Sequence, residues 1–97
     1  MERGGCVYIM TNVYDGILYT GVTSDILHRV WQHKSNHYPK SFTAKYKCHK
    51  LVYYYFFPTI EEAIGEEKRI KAGNRQAKIK LINELNPQWL DLYESLD

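Results

Sequence analysis

The chain has 97 residues, of which 44% are hydrophobic, 14% aromatic and 25% charged. This composition is typical of one globular domain over residues 1–97 and excludes disordered and collagen-like classes. Thirteen Lys and Arg against eleven Asp and Glu give a net charge of +2, so an anionic partner must be met by a local basic patch rather than by bulk charge. Two cysteines exclude a disulfide-rich mini-protein. Without a membrane span or a signal peptide, a cytoplasmic protein that binds no membrane is expected.

Three short segments predict a small, mainly antiparallel sheet. Runs rich in β-branched and aromatic residues at about 6–12 and 16–22 are separated by turn formers and predict a hairpin. A third apolar and aromatic run at about 50–57 predicts a strand with both faces at least partly covered. Because of this coverage, the third strand is expected at the centre of the sheet.

Apolar residues at helical spacing predict three helices around this sheet. They cover about residues 26–34, 59–71 and 74–85. Residues 35–50 show no sustained period and predict a basic surface loop. The expected architecture is therefore an α/β fold of order β-β-α-β-α-α, with residues 86–97 as a tail that docks back on the body.

The second predicted helix carries a carboxylate on its apolar stripe. At about 100° per residue, Ile60, Ala63, Ile64 and Ile70 fall on one arc with Glu67 near its middle. Burying a carboxylate without a partner is costly, so this position predicts a nearby metal, arginine or lysine. A buried ion pair that only fixes packing is the structural alternative. The neighbouring Glu66 is expected to be solvated or to interact with the helix dipole.

On the first predicted helix, Arg29 and His33 are four residues apart and therefore share one face. Arginine suits phosphate because its planar fork donates two hydrogen bonds, and histidine titrates near neutral pH. Tyr8 and Tyr19 lie on the two hairpin strands, where hydrophobic packing is the simpler interpretation. The alternative is that Arg29 and His33 are ordinary surface residues without a functional role.

Basic residues gather in the last two predicted helices. Six of the thirteen Lys and Arg fall within thirteen positions that contain no acid, which is the footprint of a phosphate-backbone contact or, alternatively, of a solvated helix face. Two lysines of the expected loop extend this candidate patch. Its members are Lys45, Lys47, Lys68, Arg69, Lys71, Arg75, Lys78 and Lys80.

Together these residues resemble the GIY-YIG nuclease family. Val7-Tyr8-Ile9 is similar to the first signature element and Tyr19-Thr20-Gly21 to the second. Arg29 stands ten residues after Tyr19, where the family places its helix arginine, and Glu67 matches the family's metal-binding glutamate. His33 matches a histidine that many members carry on the same helix.

The resemblance covers roughly residues 5–72 and is weaker beyond them. The tail segments around Trp89 and Tyr93 resemble those of short, stand-alone bacterial members, which are similar to the nuclease part of structure-specific endonucleases. The chain departs from the family in having Cys6 and Val7 before Tyr8 and Thr20 within the second element. Val22 stands where excision-repair relatives carry a lysine thought to assist the base tyrosine.

The resemblance implies a metal-dependent endonuclease that hydrolyses DNA phosphodiester bonds, including branched or flapped DNA, in repair or recombination. Glu67 would bind one Mg²⁺ or Mn²⁺, and Arg29 would stabilise charge on the phosphate in the transition state. The general base would be Tyr19 or, less favoured, Tyr8. A free tyrosine has a pKa of about 10 and needs a cation or concerted proton transfer to act near neutral pH. His33 is the competing base, or would orient the nucleophile or hydrogen-bond the base tyrosine.

Two other functions are consistent with the same residues. A nucleic-acid-binding module that cuts poorly would need the lysines and arginines but not Glu67. A partner-binding subunit would use the acidic tail from Trp89 to Asp97 to contact another protein. The expected oligomeric state is a monomer, and the sequence does not distinguish DNA from RNA.

Overall fold

The computed structural model describes residues 4–96 and contains one antiparallel sheet of three strands. The register places Tyr8 opposite Gly21 on one side and Tyr54 on the other. A bulge lies between Ile9 and Met10 where the first strand meets the third. The predicted sheet is therefore confirmed. The strands are β1 Gly5–Thr11, β2 Leu18–Thr23 and β3 Lys50–Phe57.

The sheet order is β2-β1-β3, so the prediction that residues 50–57 form the central strand is wrong. All seven residues of β1 are buried, whereas β3 is buried only from Leu51 to Tyr53 and exposes Tyr55 and Phe56. A long apolar run reports how well a segment is covered, but it does not report which strands lie beside it. Here the C-terminal tail and the helices cover the first half of an edge strand.

The three predicted helices are confirmed. Asp25, Thr59 and Asn74 cap them, because each side chain accepts a hydrogen bond from a backbone N–H in the first turn. The expected surface loop at residues 35–50 contains an additional helical turn, capped by Ser41. The helices are α1 Ile26–Lys34, α2 Phe42–Lys45, α3 Ile60–Ala72 and α4 Arg75–Leu85.

The loop prediction also needs correction because residues 35–50 are not entirely at the surface. Thr43 and Cys48 are buried, and the Cys48 N–H donates to the Thr43 carbonyl at 2.8 Å. No helical period is detectable in a helix of only four residues. A buried hydroxyl therefore lies in this segment where the sequence indicated solvent.

Side chains alternate across the sheet and divide the core into two layers. On one face Tyr8 and Met10 pack with Ile26 and Val30 of α1. On the other face apolar residues of β1 and β3 pack with α3 and α4, and this cluster contains Val7, Ile9, Val52, Tyr53, Ala63, Ile70 and Ile82. The sheet consequently separates α1 from α3 and α4.

The C-terminal segment contacts the first half of β3. The buried Asn86 side chain donates to the carbonyls of Val52 at 3.2 Å and Leu90 at 2.8 Å. Asp91 accepts from the Leu51 N–H at 3.2 Å and pairs with Lys34. A short 3-10 helix, Leu92–Ser95, follows. Within residues 4–96, no helix is both long and apolar enough to cross a bilayer.

Candidate active site

The pairing of β1 with β2 positions the two tyrosines of the hairpin. Tyr8 has no exposed surface and lies opposite Gly21, while Tyr19 lies opposite Met10, two positions along the same face. The ring centroids of Tyr8 and Tyr19 are 6.3 Å apart. A Cβ atom at Gly21 would lie 2.5 Å from Cζ and Oη of Tyr8. The glycine is therefore needed because the buried tyrosine ring occupies the space above it.

Helix α1 brings Arg29 and His33 onto the same face. Ile26 and Val30 anchor the helix in the core, and the adjacent helical positions carry the two polar side chains towards the hairpin. His33 Nε2 lies 2.9 Å from the Tyr8 hydroxyl oxygen, and the His33 ring centroid is 5.6 Å from that of Tyr19. The spacing of four residues thus places both side chains at one site.

The second nitrogen of His33 also has a partner. Nδ1 lies 2.9 Å from Oγ1 of Thr43, and Thr43 Oγ1 lies 3.2 Å from Ser41 Oγ. Neither Thr43 nor Ser41 was among the residues predicted from the sequence. The only available signal was Ser41 as a potential helix cap, in a segment without hydrophobic periodicity.

Next to this hydrogen-bonded cluster is an open pocket of about 290 Å³. Tyr19 and Phe42 stack in its wall with ring centroids 5.8 Å apart, and Tyr38 is 57% exposed there. The buried Tyr8 is not part of the lining. The lining residues are Tyr19, Arg29, Gln32, His33, Tyr38, Ser41, Phe42 and Thr43. The pocket therefore combines one fixed cation, hydroxyl groups and aromatic surfaces.

Burial controls protonation within the cluster. It lowers the pKa of His33 to about 4, and the charges of Arg29 and His49 act in the same direction. Burial raises the pKa of Tyr8, with a further contribution from Tyr19, while the nearby Arg29 opposes this increase. At neutral pH His33 is therefore uncharged and Tyr8 is a phenol.

Glu67 lies on α3 and is separated from this cluster by the sheet. Its side chain is 13% exposed, and Oε2 is 2.8 Å from Nζ of Lys71. The partial burial agrees with its position on the apolar stripe, and a lysine is one of the three partners that position predicted. In the described part of the chain, the hydrogen bonds and ion pairs of Glu67 do not extend to Tyr8, Tyr19 or His33.

Glu67 is the carboxylate that the sequence analysis assigned to a divalent ion, and its surroundings test that expectation. Residues 4–96 contain no group of three or more His, Cys, Asp or Glu side chains arranged for a metal. Mg²⁺ commonly uses one or two carboxylates and takes its other oxygens from water and substrate phosphates. The side chain of Lys71, which pairs with Glu67, is 52% exposed. The available protein ligands thus fit an Mg²⁺ or Mn²⁺ ion whose remaining ligands are water and substrate oxygens. They do not fit an ion that is coordinated by protein groups alone.

The predicted basic patch is divided between the two sides of the sheet. Lys45 belongs to α2, beside the pocket, with Nζ 5.3 Å from the ring centroid of Tyr46, and Lys47 is exposed just after it. The other six residues lie on or between α3 and α4. Four of these six contact acidic groups or carbonyl oxygens, namely Arg69 with Glu66, Lys71 with Glu67, Arg75 with Asp15 and Lys78 with Gly73.

The expectation that Glu66 is solvated needs correction. Its side chain is 22% exposed, and Arg69 donates to its two oxygens at 2.7 and 2.5 Å. The bidentate hydrogen bond lowers the pKa of Glu66 and outweighs its partial burial. This pair also leaves fewer donors of Arg69 available to an external phosphate.

Comparison with known proteins identifies the family of this chain. The model of the GIY-YIG catalytic domain family matches residues 4–83. The chain belongs to the GIY-YIG nuclease family. The match includes both signature strands, α1, α3 and most of α4, so both layers of the structure are parts of the family domain.

Short bacterial proteins are among the similar members of the family. A UPF0213 protein of Staphylococcus saprophyticus is 41% identical over 70 residues, which are 72% of this chain and 84% of that protein. A UPF0213 protein of Staphylococcus aureus is 38% identical over 78 residues, covering 80% and 93% of the two chains. The solution NMR structure of a UPF0213 protein from Bacillus halodurans has a TM-score of 0.57 at 30% identity, with 90% of each chain covered.

Proposed function

We propose that this GIY-YIG protein is a divalent-metal-dependent endonuclease that hydrolyses DNA phosphodiester bonds at the pocket beside α1. The observation that carries this proposal is the convergence of Tyr19, Arg29 and a neutral His33 on one open pocket. A guanidinium held at a pocket wall suits a phosphodiester because it keeps its charge at every relevant pH and donates two parallel hydrogen bonds.

In the reaction, Arg29 would bind the scissile phosphate and stabilise the negative charge that grows on its oxygens in the transition state. Water would attack phosphorus while the hydroxyl oxygen of Tyr19 takes a proton from it and passes the phenol proton to solvent. The bond between phosphorus and the leaving sugar oxygen would break, and that oxygen would take a proton from water. An Mg²⁺ or Mn²⁺ ion held by Glu67 would supply Lewis-acid stabilisation of the phosphate and the leaving oxygen. Lys71 would release the Glu67 carboxylate when the ion binds.

Tyr19 is the favoured general base for the attacking water. It lines the pocket, whereas Tyr8 has no exposed surface and burial raises its pKa. His33 is a weak base because its pKa is lowered to about 4, and its Nε2 is already within hydrogen-bonding distance of Tyr8. His33 and Tyr8 would then form a hydrogen-bonded pair next to the reacting groups without accepting the proton of the attacking water.

The aromatic walls indicate which DNA the pocket accommodates. Phe42 and Tyr38 are 46% and 57% exposed beside Arg29, and exposed rings stack on unpaired bases in a manner that tolerates different sequences. We therefore expect unpaired nucleotides next to the cut, as single strands, flaps and branched junctions provide. A role in DNA repair or recombination would be consistent with such substrates.

The decisive experiment is cleavage of single-stranded, duplex, flapped and branched DNA with Mg²⁺ or Mn²⁺. Glu67→Gln should abolish cleavage and leave the fold intact, whereas the matched control Glu66→Gln should retain it, because Glu66 is engaged by Arg69. Cleavage by Glu67→Gln at the wild-type rate would remove this residue from the mechanism. RNA versions of the substrates test the sugar preference.

The general base is tested separately by rate-against-pH profiles of Tyr8→Phe, Tyr19→Phe and His33→Ala. Tyr19→Phe should show the largest loss at every pH. If both phenylalanine variants retain full activity and only His33→Ala fails, the tyrosine assignment is wrong and histidine is the base.

A nucleic-acid-binding module with little catalysis is the second candidate function. The separation of Glu67 from the pocket and its pairing with Lys71 favour it. Gel-shift titrations with and without Mg²⁺, followed by product analysis, separate the two functions. Tight binding that is unaffected by Mg²⁺ and gives no cleaved product would support the module.

If truncation of the tail after Leu90 leaves binding intact but removes a co-purifying protein, the tail contacts a partner.

A further inference from the structure

The hydrogen bonds around His33 determine which ring nitrogen carries its proton. A neutral imidazole has one N–H donor and one acceptor nitrogen. The Tyr8 side chain is fully buried, and within residues 4–96 the hydrogen-bond partner of its hydroxyl is His33 Nε2, 2.9 Å away. The single proton of this buried hydroxyl is therefore donated to Nε2. Nε2 is then the acceptor, and Nδ1 carries the ring proton.

The proton on Nδ1 has an acceptor on α2. Thr43 Oγ1 lies 2.9 Å from Nδ1, and the Thr43 hydroxyl can donate onward to Ser41 Oγ at 3.2 Å. Thr43 is only 2% exposed, and its carbonyl accepts from the Cys48 N–H. Burial and this bond fix the Thr43 backbone, and its hydroxyl oxygen lies between His33 Nδ1 and Ser41 Oγ rather than in solvent.

We propose that Thr43 is a positioning residue of the nuclease site, which fixes His33 in the Nδ1–H tautomer and thereby aims Nε2 at the Tyr8 hydroxyl. In the other tautomer, Nε2–H would donate to the Tyr8 oxygen, and the buried Tyr8 proton would have no acceptor. The effect of Thr43 on catalysis rests on the proposed nuclease function, whereas its effect on the His33 tautomer does not.

The tautomer is measurable in the intact protein by long-range ¹H–¹⁵N NMR of the histidine rings at pH 7. His33→Gln assigns the His33 signals by their loss, and His49 serves as an internal reference because it bonds to Asn36 instead. The wild type should show His33 protonated at Nδ1. A wild-type His33 protonated at Nε2 overturns the proposal without any further variant.

Thr43→Val removes the hydroxyl while keeping the shape of the side chain, and Thr43→Ser restores it. Loss of one hydrogen bond should move the tautomer ratio of His33 up to about tenfold towards Nε2–H in Thr43→Val. Thr43→Ser should retain the wild-type spectrum. If Thr43→Val is folded and its His33 spectrum is unchanged, Thr43 does not control the tautomer. If it fails to fold, the wild-type and Thr43→Ser spectra decide.

Cleavage kinetics test the positioning role. Thr43→Val should lower kcat by about 10- to 100-fold, the effect of removing the partner that orients a metal-binding histidine, with KM changed less than about twofold. Thr43→Ser should restore kcat. Equal kcat for Thr43→Val and wild type refutes the role in catalysis. If the wild type itself cleaves nothing, the proposed nuclease function fails, and the NMR result still stands on its own.

Discussion

Replacing Gly21 by alanine tests how the hairpin positions Tyr8. The two residues face each other across β1 and β2, and a new Cβ would lie 2.5 Å from Cζ and Oη of the tyrosine and 2.9 Å from Cε1. Tyr8 has no exposed surface, so its ring has no solvent to move into. The ring must shift within a packed core or the strands must separate.

The cost of this change follows from the distances. Carbon atoms in contact are normally about 3.5–4.0 Å apart, so the ring must move by roughly 1 Å, and such overpacking costs about 1–3 kcal/mol. Displacing the hydroxyl from His33 Nε2, now 2.9 Å away, removes a hydrogen bond with a net contribution of about 0.5–1.5 kcal/mol. Gly21→Ala should therefore lower the free energy of unfolding by about 2–4 kcal/mol and the Tm by at least about 8 °C.

Urea unfolding followed by circular dichroism measures this loss, and a second glycine provides the matched control. Gly65 lies at an exposed position of α3 where a Cβ would meet nothing within 4 Å. Gly65→Ala should stabilise the protein by about 0.5–1 kcal/mol because alanine favours the helix. A Gly21→Ala protein within about 0.5 kcal/mol of wild type would show that Tyr8 is not confined by the hairpin.

Three further predictions concern charge and stacking. Because burial lowers the pKa of His33 from 6.5 to about 4, the unfolded chain binds more protons between these pH values. The free energy of unfolding should therefore fall as pH drops from 6.5 to 4, and it should fall less steeply in His33→Asn. Urea titrations at each pH measure both slopes, and equal slopes in the two proteins would contradict this prediction. Neutralising Arg75 and Lys78 together should reduce the salt slope of DNA binding by at most about two units, and an unchanged slope would place them on a solvated face. Phe42→Ala should weaken binding of single strands by about 1–3 kcal/mol and of duplex less, whereas equal losses would exclude base stacking.

The elements that were predicted from sequence are those with local signals. The turn formers between β1 and β2, the Asp25 cap and the periodic Ile26 and Val30 specify the hairpin and α1 within short segments. The spacing of Arg29 and His33 then fixes their common face without knowledge of the tertiary structure. The order of the strands has no such local signal, so an apolar edge strand was assigned to the centre.

Thr43 shows why part of the site was inaccessible to the same reasoning. It lies in a helix of four residues, too short to display a period, and its partner His33 is ten residues earlier in the chain. Only the path of the intervening segment brings the hydroxyl to the imidazole. Glu67 is an intermediate case. Its position on the helix predicted its burial, but the sequence permitted a metal, an arginine or a lysine as its partner and did not single out Lys71.

The separation of the pocket from Glu67 constrains how one substrate could contact both. Arg29 belongs to the layer on one face of the sheet, and Glu67 to α3 on the other, where it packs against β1 and β2. A DNA backbone that reaches both must therefore pass an edge of the sheet. At the β3 edge, Asn86 and Asp91 of the tail already bond to the strand backbone. The edge formed by β2 carries Tyr19 and contacts α3, so the proposed reaction requires the scissile phosphate to lie along β2.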